Sequence, residues 1–184
     1  RLKDPDMPGL MSVEAEELIN LGNTRDHFHE LEDCDWIAEA VVERLDIKQA
    51  LYRRLSDTCK ESTIITSNTS TIPIKFLTEG MPTEFCERFA ITHFFNPVRY
   101  MRLLELVRGE LTRDDVINTL DVFSEINLGK GVVSCSDTPG FLANRVGVFA
   151  IQCALHKAFE YKLSPTEADA FFGRPLGLPK TGVF

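Results

Sequence analysis

The sequence has few positive charges and no long apolar runs. Its 184 residues include 20 Lys and Arg against 28 Asp and Glu, giving a formal net charge of −8. Such a balance does not favour nucleic-acid binding, because phosphates are bound by clustered positive charge. No apolar run reaches the roughly 18 residues that a membrane helix requires, and no apolar signal-peptide stretch follows the first residues. We therefore expect a cytoplasmic protein that does not bind nucleic acid and is not inserted in a membrane.

Motifs for metal binding and for phosphate binding are also missing. The five cysteines, Cys34, Cys59, Cys86, Cys135 and Cys153, are odd in number and contain no Cys-x-x-Cys pair, so we predict no metal site and small buried thiols at most of these positions. A Gly-x-Gly-x-x-Gly loop is absent. Gly129-Lys-Gly131 has Ser134 in the third glycine position and joins a predicted helix to a predicted strand, so we interpret it as a turn.

What is present is an alternation of strand-like and helix-like segments. With 43% hydrophobic and 26% charged residues, the composition is that of a globular protein with a core. The alternation predicts an α/β domain with crossover connections. We predict strands at residues 17–21, 35–42, 63–67, 89–94, 102–107 and 131–134.

Helix signals lie between these strands and after them. Asp46 and Gln49 resemble a capping box that opens a helix over 47–59, and Ser164-Pro165 predicts a short helix ending before Gly173. Further helices are predicted at 73–79, 112–126 and 138–161. Residues 146–155 are apolar nearly all round, so we expect that helix to be covered on most sides. Because no strand signal follows Cys135, we place a domain boundary between residues 136 and 137.

One imidazole is a candidate catalytic group. His93 ends an apolar strand, where a histidine is often only a satisfied core residue. Glu105 lies in another apolar segment, and burying its carboxylate without a partner would be costly. If the two strands are neighbours, His93 is the nearest titratable partner. A carboxylate that holds one imidazole nitrogen makes the other nitrogen a better base.

Three further polar groups are candidates for binding. The segment 66–71 follows a buried strand, where ligands bind in open α/β sheets, although it could also be a turn that caps the helix at Pro73. Asn144, placed about one turn inside its helix, could bond a ligand or another helix. Glu43 ends a strand, and Lys48 opposes the macrodipole of the following helix. That position favours a ligand or carboxylate contact, with exposure to solvent as the alternative.

These segments together resemble the L-3-hydroxyacyl-CoA dehydrogenases of fatty-acid β-oxidation. The resemblance covers nearly the whole chain, and the order of its motifs is specific. It rests on four segments: Ser67-Asn-Thr-Ser70, His93-Phe-Phe-Asn-Pro97, Leu104-Glu105-Leu-Val107 and Asp137-Thr-Pro-Gly-Phe-Leu-Ala-Asn144-Arg145. The segments 42–48 and 173–182 further resemble a bacterial branch in which the dehydrogenase is often fused to an enoyl-CoA hydratase.

The resemblance implies a fold, a cofactor and a role for each site residue. Residues 1–136 would form a partial Rossmann-like NAD-binding domain, incomplete at its N-terminus, and residues 137–184 the start of an all-helical domain for dimerisation and substrate binding. His93 would take the proton of the substrate 3-hydroxyl, and Glu105 would orient His93. Ser70 and Asn144 would bond the acyl-CoA substrate. Positions that match NAD contacts in the family are Glu43, Lys48, Ser70 and Asn96.

Departures from the family pattern suggest an incomplete chain. The glycine-rich first βαβ unit and most of the helical domain are absent from these 184 residues. We therefore expect weak NAD binding and poor turnover from this chain alone, and activity and homodimerisation from the intact protein. Two alternatives remain: a sister NAD-dependent dehydrogenase of the L-gulonate type, and a non-catalytic family member.

Overall fold

A computed structural model describes residues 9, 10, 12 and 14–177. The chain divides into two compact units, one up to Pro139 and one from Gly140 onward. The sequence predicted the division after Ser136. Asp137 belongs with the first unit because its carboxylate accepts hydrogen bonds from the amides of Ile74 (2.8 Å) and Lys75 (3.4 Å).

The first unit is built on a five-stranded sheet. Its described strands are β1 (Trp36–Glu39), β2 (Ile64–Ser67), β3 (Phe89–Phe94), β4 (Leu103–Arg108) and β5 (Gly131–Cys135), in that spatial order. All neighbours are parallel except β3 and β4, which are antiparallel. The helices of this unit are α1 (Leu45–Thr58), α2 (Ile74–Leu77), α3 (Thr83–Glu87) and α4 (Asp114–Ile126). The predicted α/β architecture is confirmed.

Two helices cover opposite faces of the sheet. Successive side chains of a strand point to opposite faces, so Phe89 and Ala90 mark the two sides of β3. The Phe89 ring lies 5.1 Å from the ring of Tyr52 on α1. Ala90 belongs to a buried cluster with Val116 and Leu120 of α4. His93 is four residues beyond Phe89 and therefore faces the side that α1 covers.

Two local predictions in the first unit are wrong. Residues 17–21 were predicted to be a strand, but Glu14–Leu18 form a 3₁₀ helix and Leu21 is 89% exposed. When the apolar side chains of a segment stay in solvent, the segment buries no apolar surface by joining a sheet. The capping box at Asp46 is also wrong: α1 begins at Leu45, and Asp46 pairs with Arg44 at 2.7 Å.

The second unit contains α5 (Ala143–Glu160) and α6 (Pro165–Phe172). Ser164 caps α6 as predicted, in a complete capping box with Glu167. The helix predicted from residue 138 begins only at Ala143, because Gly140 and Phe141 have φ values of 75° and 46°. Phe149 on α5 is 69% exposed, so the expected cover over residues 146–155 is not found among the described residues.

None of the helices within the described residues has both the length and the apolar character needed to cross a bilayer.

Candidate active site

The site is centred on an imidazole–carboxylate pair. His93 and Glu105 are direct partners in the antiparallel ladder between β3 and β4, so their side chains share one face of the sheet. His93 Nδ1 lies 2.7 Å from Glu105 Oε2, and the two side chains are only 6% and 1% exposed. A carboxylate accepts a hydrogen bond from Nδ1–H, and in that tautomer the basic lone pair of a neutral imidazole is on Nε2. The pair thus has the geometry of an oriented general base.

Neighbouring groups hold both members of the pair. The ring of Phe95 lies 4.5 Å from the imidazole ring of His93. The Phe94 amide donates a 2.8 Å hydrogen bond to Asn68 Oδ1, which ties the end of β3 to the loop after β2. On the other side, the Cys135 thiol lies 3.8 Å from Glu105 Oε1. These contacts restrict the orientations that the imidazole and the carboxylate can adopt.

The Glu43 carboxylate accepts several hydrogen bonds from the polar segment after β2. Its Oε1 accepts hydrogen bonds from the Thr69 hydroxyl, the Ser70 amide (3.1 Å) and the Thr71 hydroxyl (3.3 Å). Burial by itself would raise the pKa of the Glu43 carboxyl. The Thr69 hydroxyl, the Lys48 ammonium and the Ser70 amide outweigh it and hold that pKa below its ordinary value of 4.5. Glu43 is therefore a carboxylate near neutral pH, with a side chain that is 40% exposed.

The lowered pKa gives a pH-dependent stability. A carboxyl whose pKa is lower in the folded than in the unfolded state stabilises the fold above the unfolded value, here about 4.5. This stabilisation is lost as the pH falls through the lower, folded-state pKa. We expect the difference in unfolding free energy between wild type and Glu43→Gln to be constant near neutral pH and to shrink under acid conditions. Urea unfolding at a series of pH values measures it.

A matched control for this measurement is Glu125→Gln, at an exposed position of α4. The control should leave the pH profile of the unfolding free energy close to that of the wild type. A Glu43→Gln difference that stays the same from about pH 7 to about pH 3 would show that the Glu43 contacts do not favour the ionised form.

Lys48 lies in a buried network whose centre is Glu39, the last residue of β1. Lys48 Nζ lies 2.8 Å and 3.0 Å from the two Glu39 carboxylate oxygens and 3.3 Å from Glu43 Oε2. Glu39 also accepts hydrogen bonds from Tyr52 Oη (2.5 Å) and Ser67 Oγ (2.8 Å). Burial and the adjacent Glu39 carboxylate raise the pKa of Tyr52 far above its ordinary value. The sequence alternative of a solvent-exposed Lys48 is wrong, since its side chain is 1% exposed.

The remaining predicted residues occupy different parts of the chain. Ser70 is half-buried beside Glu43, and Asn96 is exposed just after β3. Asn144 lies in the first turn of α5 in the second unit, and not one turn inside a longer helix as predicted. The alternative that segment 66–71 caps the next helix is not supported, because the first amide of α2 donates to Asp137.

Glu39 is the residue that the sequence interpretation missed. It stands in the apolar segment Trp36-Ile-Ala-Glu39-Ala-Val-Val, just as Glu105 stands in its own apolar segment. The reasoning that an acidic residue in a buried strand needs a partner applies to both. The sequence offered a partner for Glu39 in Lys48, a basic residue nine positions later in the first turn of α1.

The residues present suit a dinucleotide, but a metal is not indicated. Glu43 places an exposed carboxylate among hydroxyl and amide groups beyond the strand ends, which suits the hydroxyl groups of a ribose. Across the part of the chain that the structure describes, no cluster of three His, Cys, Asp or Glu side chains is arranged to hold a metal ion.

Sequence comparisons identify similar proteins. A model of the family "3-hydroxyacyl-CoA dehydrogenase, NAD binding domain" matches residues 5–138. A Rickettsia prowazekii protein assigned as a fatty acid oxidation complex trifunctional enzyme is 45% identical over 166 residues, which are 90% of this chain and 23% of that protein. A Deinococcus radiodurans protein assigned as a 3-hydroxyacyl-CoA dehydrogenase is 40% identical over 174 residues, which are 95% of this chain and 50% of that protein.

A structural comparison agrees with these matches. The crystal structure of (S)-3-hydroxybutyryl-CoA dehydrogenase PaaH1 from Ralstonia eutropha aligns with a TM-score of 0.74 and 33% identity, covering 83% of this chain and 53% of that one. The chain spans half or less of the length of the Deinococcus and Rickettsia relatives. The family model covers most of the chain, and the solved neighbours share its Rossmann-like α/β fold. The chain therefore belongs to the 3-hydroxyacyl-CoA dehydrogenase family and matches that family's NAD-binding domain over residues 5–138.

Proposed function

We propose that the full-length protein oxidises L-3-hydroxyacyl-CoA to 3-ketoacyl-CoA with NAD, in fatty-acid β-oxidation. The observation that carries the proposal is the buried His93–Glu105 pair, with 2.7 Å between Nδ1 and Oε2, in a NAD-binding domain of this family. Oxidation of an alcohol removes one proton and one hydride. The bound NAD supplies the hydride acceptor, so the protein has to supply the proton acceptor and the orientation.

His93 is the proposed proton acceptor. With Nδ1–H bonded to Glu105, the lone pair of Nε2 takes the proton of the substrate 3-hydroxyl. The imidazolium that forms is stabilised by the Glu105 carboxylate, which is fully buried and so acts across a medium of low polarity. Glu105 also prevents the ring from turning, because its Oε2 holds Nδ1 in place.

Further polar residues are the proposed binding groups. Ser70 and Asn144 hydrogen-bond the substrate oxygen or the acyl thioester. Glu43, Ser70 and Asn96 contact NAD at the ends of the strands. Lys48 also belongs to the cofactor site in this proposal, but its ammonium is enclosed by the Glu39 and Glu43 carboxylates. We therefore assign Lys48 an indirect role through Glu43.

The test is a comparison of substrates with the full-length protein. We expect NADH oxidation with acetoacetyl-CoA and NAD reduction with 3-hydroxybutyryl-CoA, and no comparable rate with L-gulonate. A faster reaction with L-gulonate would favour the sister dehydrogenase. No reaction with any of the three, from a folded protein that binds NADH, would favour a non-catalytic family member.

Further parts of the proposal concern partners and location. Similarity to the Rickettsia trifunctional protein supports a fused or associated enoyl-CoA hydratase. Exposed apolar side chains on α5, among them Val146, Val148 and Phe149, support a homodimer of the full-length protein. We place the protein in the cytoplasm, where β-oxidation enzymes of this bacterial type would meet their acyl-CoA substrates.

A further inference from the structure

The unexplained feature of this fold is a buried acidic residue that no role in the proposed reaction uses. Glu39 is 4% exposed and lies at the carboxyl end of β1. Its carboxylate accepts hydrogen bonds from Lys48, Tyr52, Ser67 and the Val41 amide. Its main partner, Lys48, is in the first turn of α1, where the helix macrodipole opposes a positive charge. Positions that break a local rule in this way mark functional or strained sites.

The network orients the ammonium group of Lys48 toward one carboxylate oxygen of Glu43. Both Glu39 oxygens lie within 3.0 Å of Lys48 Nζ, which restrains the direction of the ammonium. The same Nζ lies 3.3 Å from Glu43 Oε2. The other oxygen of Glu43 receives the Thr69 hydroxyl and the Ser70 amide. The two oxygens of the exposed Glu43 carboxylate are thus held separately, one by Lys48 and the other by the loop.

Glu39 also holds the same loop through its backbone. The Asn68 amide donates a 2.7 Å hydrogen bond to the Glu39 carbonyl. Asn68 Oδ1 in turn accepts from the amide of Phe94, the residue after His93. The side-chain path and the backbone path both connect Glu39 to the segment that carries Ser70.

We propose that Glu39 is a positioning residue that acts through Lys48 on Glu43 and so fixes the loop Thr69–Thr71 for cofactor binding. This inference rests on the proposed function, because the loop and Glu43 are taken as part of the NAD site. Glu39 itself touches no ligand: it sets the charge and direction of Lys48, and Lys48 sets the orientation of Glu43.

The test compares Glu39→Gln with Tyr52→Phe in the full-length protein. Glu39→Gln keeps the shape and removes the charge that restrains Lys48. Tyr52→Phe removes a hydrogen bond to the same carboxylate but leaves the path from Lys48 to Glu43 intact. Both variants perturb the buried network, so a purely structural role would give them similar effects.

Two readouts are measured for each variant. Without cofactor, hydrogen exchange at the amides of Ser70, Thr71 and Ile72 should be about tenfold faster in Glu39→Gln and unchanged in Tyr52→Phe. With cofactor, the Kd for NADH should rise about tenfold in Glu39→Gln only, while kcat at saturating NADH stays close to that of the wild type. The double variant Glu39→Gln/Glu43→Gln should bind NADH no more weakly than Glu43→Gln, because the two residues act in series.

Contrary results separate the inference from the proposed function. Equal effects of the two variants, or additive losses in the double variant, would overturn the positioning role. A folded wild type that does not bind NADH would overturn the proposed function, and the exchange measurement would still decide whether Glu39 fixes the loop. If Glu39→Gln does not fold, Glu39→Asp keeps the charge but withdraws it from Lys48, and the same changes are expected.

Discussion

Replacing His93 with glutamine is expected to lower kcat for 3-hydroxybutyryl-CoA oxidation by about 10²–10⁴-fold, the usual contribution of a general base. Glutamine keeps an amide donor that can bond Glu105, so the buried carboxylate is not left without a partner. It has no basic nitrogen, and the hydroxyl proton then has to leave to water. The measurement is steady-state turnover of the full-length protein at saturating NAD.

His29→Gln is the matched control for this variant, because His29 is exposed on a 3₁₀ helix of the same unit. The control should turn over at the wild-type rate. If His93→Gln binds NADH normally and keeps the wild-type kcat, His93 is a core histidine satisfied by Glu105 and takes no part in proton transfer. A loss of NADH binding together with turnover would instead indicate a folding defect.

Replacing Lys48 with methionine is expected to lower the free energy of unfolding by about 3–5 kcal/mol, because it leaves buried Glu39 without its cation. The unbranched methionine side chain occupies a similar space. The loss of unfolding free energy is therefore due mainly to the missing charge and only little to changed packing. Tyr52 and Ser67 would still bond Glu39, but neutral hydroxyls do not balance a buried negative charge. Equilibrium urea unfolding of the full-length protein measures the change.

Lys60→Met provides the comparison with a surface ion pair. Lys60 contacts Asp35 at 3.0 Å, and these side chains are 42% and 98% exposed. Such a pair contributes about 0–1 kcal/mol, so the control should change stability little. Equal losses from the two variants would mean that the Lys48 network contributes no more than a surface contact.

Most of the sheet could be predicted from the sequence because buried strands are continuous apolar runs. Five of the predicted strands, at 35–42, 63–67, 89–94, 102–107 and 131–134, overlap strands of the structure. The failure at residues 17–21 has a physical reason: three of these five residues are apolar, yet Leu18, Ile19 and Leu21 stay exposed. A short apolar segment forms a strand only where a neighbouring strand or a core is available to it.

The site could be predicted where two residues pair across strands that are close in sequence. His93 and Glu105 lie on consecutive strands, so an acidic residue in an apolar run was enough to propose their contact. The Glu39 network joins a strand end, a helix and the next strand, and its members are drawn together only when α1 packs on the sheet. The direction in which Lys48 turns depends on that packing and not on the local sequence.

The change of strand direction between β3 and β4 limits how this protein can vary in evolution. Because β3 and β4 are opposed residue by residue, an insertion or deletion of a single residue inside either strand would turn His93 or Glu105 to the other face. Length changes in the connection between Asn96 and Leu103 carry no such penalty, since they do not alter the register. Natural variants that remain active should therefore differ in this connection and keep the two strands free of gaps.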